Sequence, residues 1–248
     1  MSYRPPFPPA PAREPAFNLP ASVSALALVL IAVHAIRTWV LSVDADVEVL
    51  TYFAFIPARY TLPDTMFYLP GGWGPKLWSV VSYALLHANW MHLGVNLVWF
   101  LAFGTPVARR FGAVRFYLFC AVTAAAGAAA HYLSHPDGIA PLVGASATVS
   151  GAMAAAVRFA MSPGGVLGGG IGRGREDHPA EGLLDSLRNP QLLLFIAVWF
   201  GLNLLFGLGV SMPGTEDAEV AWQAHVGGFL AGLLLFGLFD PVPRAGRR

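Results

Sequence analysis

Six mostly apolar stretches, at 22–41, 91–107, 114–134, 145–161, 191–208 and 221–239, constrain this chain more than anything else in it. An α-helix needs about 20 consecutive apolar residues to cross the hydrocarbon core of a bilayer. The second stretch is short by that measure and reaches full length by borrowing from 77–90. Composition agrees with lipid as the solvent. Hydrophobic residues make up 56% of the 248 and charged residues only 12%, about half the charged share of an ordinary soluble domain. The expected fold is an all-α membrane protein with six transmembrane helices.

The segments around the spans divide the chain further. Residues 1–20 are proline-rich and read as a disordered N-terminus, 21–240 as the membrane domain, and 241–248 as a basic tail. The first apolar stretch is longer than a signal-peptide core, so it reads as an uncleaved span. With the N-terminus inside, the inner segments hold Arg4, Arg13, Arg109, Arg110, Arg115, Arg158, Arg173, Arg175, Arg188, Arg244, Arg247 and Arg248. Only Arg37, Arg59 and Lys76 fall outside. The bias of cations toward the cytoplasm then places both termini there. The outer connection 42–90 is long and rich in aromatics and prolines, as expected of a loop lying partly in the membrane interface. The inner connection 162–190 is glycine-rich, but no strand precedes its glycines and no GK[ST] follows, so it reads as a flexible linker and not a phosphate cradle.

Several function classes drop out. A net charge of +1 leaves no dominant basic surface for nucleic acid. A single cysteine, Cys120, excludes a disulfide framework and a cysteine-based metal site. No HExxH motif is present, which argues against a zinc protease. His131 and His135 have the i,i+4 spacing of a helical metal pair, but no matching carboxylate or cysteine accompanies them. They, like His34, also suit a structural role.

Polar groups inside spans are costly and therefore functional suspects. In this topology Ser146 opens span four, His225 lies near the outer end of span six, and His87, His92 and Asn96 bracket the outer start of span two. Three separate segments thus bring polar residues to one side at similar depth. A serine hydroxyl becomes a nucleophile when a base takes its proton, and histidine suits that role near neutral pH. His92 and Asn96, four apart, share one helix face and can donate to an oxyanion. The backbone N–H of Ser146, at a helix start, adds a third donor. No acid is placed to orient His225, so a Ser146–His225 dyad fits better than a triad. Gly144, Gly151, Gly228 and Gly232 suit close helix packing, which lets spans four and six approach. Ser150, one turn deeper than Ser146, reads as a structural hydroxyl.

His87-x₄-His92-x₃-Asn96, Gly144-Ala145-Ser146-Ala147 and Ala224-His225-x₂-Gly228-x₃-Gly232 together resemble the rhomboid intramembrane serine proteases over roughly residues 75–240. The resemblance implies a six-helix bundle with a water-filled cavity opening outward. It implies Ser146 as nucleophile, His225 as general base, His92 and Asn96 at the oxyanion, and His87 as a supporting residue of structural character. The implied reaction is hydrolysis of a peptide bond in or near a transmembrane segment of another membrane protein, often beside a small residue. It needs no metal and no cofactor. Span five and the outer loops would form the substrate gate and cap. The bacterial inner (plasma) membrane is the expected location. An inactive rhomboid-like protein that binds transmembrane helices is the alternative. Two departures stand out: Ala147 replaces the usual last glycine of Gly-x-Ser-Gly, and the glutamate usual near Ala108 is absent.

Overall fold

The structure, a computed structural model, describes residues 19–63, 65–66, 68–162, 178–209 and 220–242. The proline-rich start to residue 18, the glycine-rich stretch 163–177, residues 210–219 and the tail from 243 lie outside the described residues. The chain runs α1 (Ala21–Trp39), α2 (Val43–Phe53), α3 (Ala58–Thr61), α4 (Trp73–Ser82), α5 (Trp90–Trp99), α6 (Thr105–Phe111), α7 (Ala113–Ser134), α8 (Ser146–Ala160), α9 (Leu183–Ser186), α10 (Pro190–Gly207) and α11 (Trp222–Phe239). Helix therefore occupies each of the six apolar stretches. Among the described residues four rods are long and apolar enough to cross a membrane: Ala21–Trp39, Trp90–Phe111, Ala113–Ser134 and Trp222–Phe239. Over the described residues the other two carry shorter apolar runs. The apolar run of α10 is Pro190–Leu205, and α8 has 15 residues, about 22 Å at 1.5 Å per residue.

The second stretch gains its length at its C-terminal end and not from 77–90. A π-helical turn, Phe100–Gly104, joins α5 to α6 and carries one rod to Phe111. The rod starts at Trp90 because the Asn89 side chain caps it, its Oδ1 accepting the His92 N–H at 2.8 Å. Residues 73–82 instead form the separate helix α4.

The core is a seam of small residues where α7, α8 and α11 meet. Gly228 and Gly232 of α11 lie directly on the backbone of α8. A Cβ on Gly228 would stand 2.6 Å from the Ala147 carbonyl carbon, and one on Gly232 2.6 Å from Gly151 Cα. On the other flank, a Cβ on Gly127 of α7 would collide with the Ala147 methyl and lie 2.8 Å from the Tyr83 hydroxyl. Such approach is available only without side chains, and it maximises dispersion contact where lipid supplies no hydrophobic drive.

The junction of α6 with the C-terminal end of α11 is held by aromatics and a buried ion pair. Phe111, Phe119, Phe159 and Phe236 form a continuous cluster with Ala108, which is buried among them. The Arg110 guanidinium enters this cluster, 4.8 Å over the Phe159 ring, and forks onto Asp240 at 2.8 and 2.9 Å. A forked, charge-assisted pair is the strong form of such contacts. It ties α6 to the end of α11 at the level where the usual glutamate is missing.

The outer connection is folded. Ser42 caps α2 by accepting the Ala45 N–H. Buried Arg59 donates to the carbonyls of Thr51 and of Pro70, the latter at 2.8 Å. Trp78 Nε1 donates to the Tyr52 carbonyl and Ser82 Oγ to that of Phe53, both at 2.8 Å. Val43, Val47, Phe53, Trp73, Leu77 and Trp78 remain exposed. Such a mixture of aliphatic side chains and tryptophan suits the headgroup level of a bilayer.

Candidate active site

The segment before α8 runs as irregular backbone toward the seam. Unsatisfied backbone groups at membrane depth cost several kcal/mol each, so such a segment needs partners within the protein. Leu142 exchanges both backbone bonds with Phe55 of the outer connection, at 2.9 and 3.2 Å. The Gly144 N–H donates to the Tyr83 carbonyl at 3.1 Å. The Ala145 N–H donates to Nε2 of His87 at 3.4 Å. His87 is fully buried, and its own carbonyl accepts from Arg37 Nη1 at 2.9 Å. Arg37 in turn forks onto Asp46 at 2.6 and 3.1 Å. His87 is thus a backbone support, fastened to α1 and α2 through Arg37.

Gly144 is required twice over. Its φ is +123°, a region L side chains rarely enter. A Cβ there would also lie 2.8–2.9 Å from Cε1 and Nε2 of His92 and 3.8 Å from Ser146 Oγ. The His92 ring and the Ser146 hydroxyl therefore flank one small volume that glycine keeps open. The Ala88 N–H reaches His92 Nδ1 at 3.5 Å. With Nδ1 accepting, the neutral ring carries its proton on Nε2, the nitrogen nearest Gly144. Asn96, one turn further and buried, donates from Nδ2 to the His92 carbonyl at 2.9 Å. That bond uses one of its two amide hydrogens.

Ser146 is the first residue of α8 and is half-buried. Its N–H belongs to the group of orphan donors at a helix start, where the macrodipole is positive. His225 lies in the first turn of α11, one turn before Gly228. Because Gly228 rests on the carbonyl of Ala147, the residue after Ser146, the seam carries His225 toward the α8 start. Ser150 is buried within α8, a turn away from this opening.

The Ala147 methyl has a location and a counterpart. It is fully buried and meets Gly127 of α7. The added methyl is matched by a glycine on the facing helix and points into the seam.

One polar residue escaped the sequence reading. Asn203 of α10 is buried, and its Oδ1 lies 2.8 Å from His225 Nδ1. Its Nδ2 donates to the Trp199 carbonyl at 2.8 Å. The available signal was an amide in the middle of the apolar run "FGLNLLF". The His131 and His135 rings stack 5.2 Å apart at the C-terminal end of α7. Among the described residues no group of three His, Cys, Asp or Glu comes together.

Residues 74–240 match the family model of the rhomboid domain, about two thirds of the chain. The chain belongs to the rhomboid family. It is also 28% identical over 166 residues to the rhomboid protease GlpG of Haemophilus influenzae, an alignment covering 66% of this chain and 70% of that protein. The matched rhomboid domain begins in α4 and ends at Asp240, so it takes in His87, His92, Asn96, Ser146, Asn203 and His225 together. A rhomboid domain with these apolar helices makes the chain an integral membrane protein.

Proposed function

We propose that this rhomboid protein is an intramembrane serine endopeptidase. The observation that carries the reading is the volume kept open at Gly144, with the His92 ring on one side and Ser146 Oγ on the other, while Gly228 brings the His225 helix onto Ala147. In the proposed reaction Ser146 Oγ attacks the scissile carbonyl carbon and gives its proton to His225 Nε2. The oxyanion accepts from His92 Nε2–H, Asn96 Nδ2–H and the Ser146 N–H. Collapse breaks the C–N bond, and His225 returns the proton to the leaving amine. Water then attacks the acyl-enzyme, His225 taking its proton and passing it to Ser146 Oγ. No metal or cofactor takes part.

All six helices act as spans in this reading, with both termini cytoplasmic in a bacterial inner membrane. Substrates are transmembrane proteins cut in or near a span, beside a small residue. The shortness of α8 supports it. A helix of about 22 Å beside 22-residue rods such as Ala113–Ser134 begins within the bilayer thickness, so Ser146 works below the outer surface.

A fluorophosphonate probe on purified protein tests the assignment. Wild type should label covalently and Ser146→Ala should not; labelling that survives in the variant overturns it. Asn96→Ala should lower kcat by roughly 10²–10³, as expected for one oxyanion donor. An unchanged kcat in a cleavage assay removes Asn96 from that role.

A further inference from the structure

His225 has two ring nitrogens, and only one can serve Ser146. We infer that Asn203 is the positioning residue that selects it, holding the proton on Nδ1 and leaving Nε2 as the base. The inference rests on the protease reading above and adds a third member, supplied by α10, to the serine and histidine.

The orientation of the Asn203 amide follows from its surroundings. Its Nδ2 has the Trp199 carbonyl at 2.8 Å, one turn back on α10. A carbonyl can only accept, so the NH₂ end must face it. The amide oxygen is then the end turned toward His225, 2.8 Å from Nδ1. An oxygen acceptor at that distance requires an N–H on Nδ1. In neutral imidazole Nε2 is then the bare nitrogen. Asn203 is buried, so water does not compete for the bond. The helix that carries it is seated by Trp199, which stacks on Phe229 of α11 with ring centroids 4.2 Å apart. Buried amide and aromatic stack together set α10 against the helix that bears the base.

The arrangement performs the orienting task of the carboxylate in serine hydrolases with a neutral acceptor. A buried carboxylate here would carry a large desolvation cost in lipid. An amide supplies the same directionality and leaves the imidazole neutral, as a base must be.

The full chain in lipid, ¹⁵N-labelled at histidine, tests this with Asn203→Leu and Asn203→Asp. The His225 signals are assigned by their loss in His225→Gln. Wild type should show His225 Nδ1 as a protonated, pyrrole-type nitrogen. Asn203→Leu should mix the two tautomers and lower kcat roughly two- to fivefold, the drop in the Nδ1–H population when one ordinary neutral hydrogen bond is lost, with KM unchanged. Asn203→Asp should restore the Nδ1–H tautomer and kcat. It should also move the acid limb of the kcat profile to higher pH, because a carboxylate favours the imidazolium and the neutral base is then lost sooner on acidification. An Asn203→Leu protein that keeps the wild-type tautomer and kcat overturns the proposal, even if its melting temperature falls. Probe labelling of wild-type Ser146 separates this result from failure of the protease reading. If wild type does not label, that reading falls, while the nitrogen shifts still decide the role of Asn203.

Discussion

Ser146→Ala is expected to abolish cleavage of a transmembrane substrate in liposomes, and His225→Ala to do the same. In Ser-His machinery, removal of the nucleophile alone costs about 10⁶ in kcat, which takes turnover below detection. The two changes should not add: with the nucleophile gone the base has no proton to take, so the double variant should match either single one. The fold should survive the Ser146 change on structural grounds. Ser146 is the first helical residue and not the cap, no side-chain cap bond is present at the α8 start, and alanine is a good helix former. The melting temperature of Ser146→Ala should therefore stay close to wild type. Full activity in either single variant refutes the dyad.

What could be read in the sequence, and what could not, divides by the range of the interaction. Helix at the six apolar stretches follows from composition along the chain, a local property. So does the approach of the His92 ring and Ser146 to Gly144, because span order and the polar residue's place in each span set which residues share a level. The start of the second rod was also legible, since Asn89 stands three residues before His92 in capping register; its inner end was not, because nothing local announces the π-helical turn at Phe100–Gly104. Pairings across helices were illegible. Ala147 reads as an anomaly until Gly127 is found facing it. The missing glutamate near Ala108 reads as a loss until Arg110 is found on Asp240, 130 residues away. Asn203 carries the burial cost of any lone amide in an apolar span, but its partner His225 lies 22 residues away on another helix. The outer connection read as an interfacial loop, while its order rests on Arg59, Trp78 and Ser82 reaching distant carbonyls.

The second large effect is expected from a residue that touches no substrate. Gly228→Ala adds one methyl where a Cβ would lie 2.6 Å from the Ala147 carbonyl carbon and closer still to its oxygen. The obstacle is backbone, not a side chain that can swing aside, so α11 must move off α8 by an ångström or so. Overpacking of this kind costs about 1–3 kcal/mol, and the melting temperature should fall accordingly. The cost to catalysis should be greater. His225 and Ser146 each lie within one turn of this contact, and a misplacement of about 1 Å at reacting groups can cost 10² in rate. The variant is therefore expected to stay folded, with kcat lowered by about 10² or more. Gly201→Ala provides the comparison, because Gly201 is exposed on α10 and nothing lies within 4 Å of its added Cβ; its activity and melting temperature should stay near wild type. A Gly228→Ala protein with the kcat of wild type would separate the seam from the chemistry, and the approach of His225 to Ser146 would then need another cause.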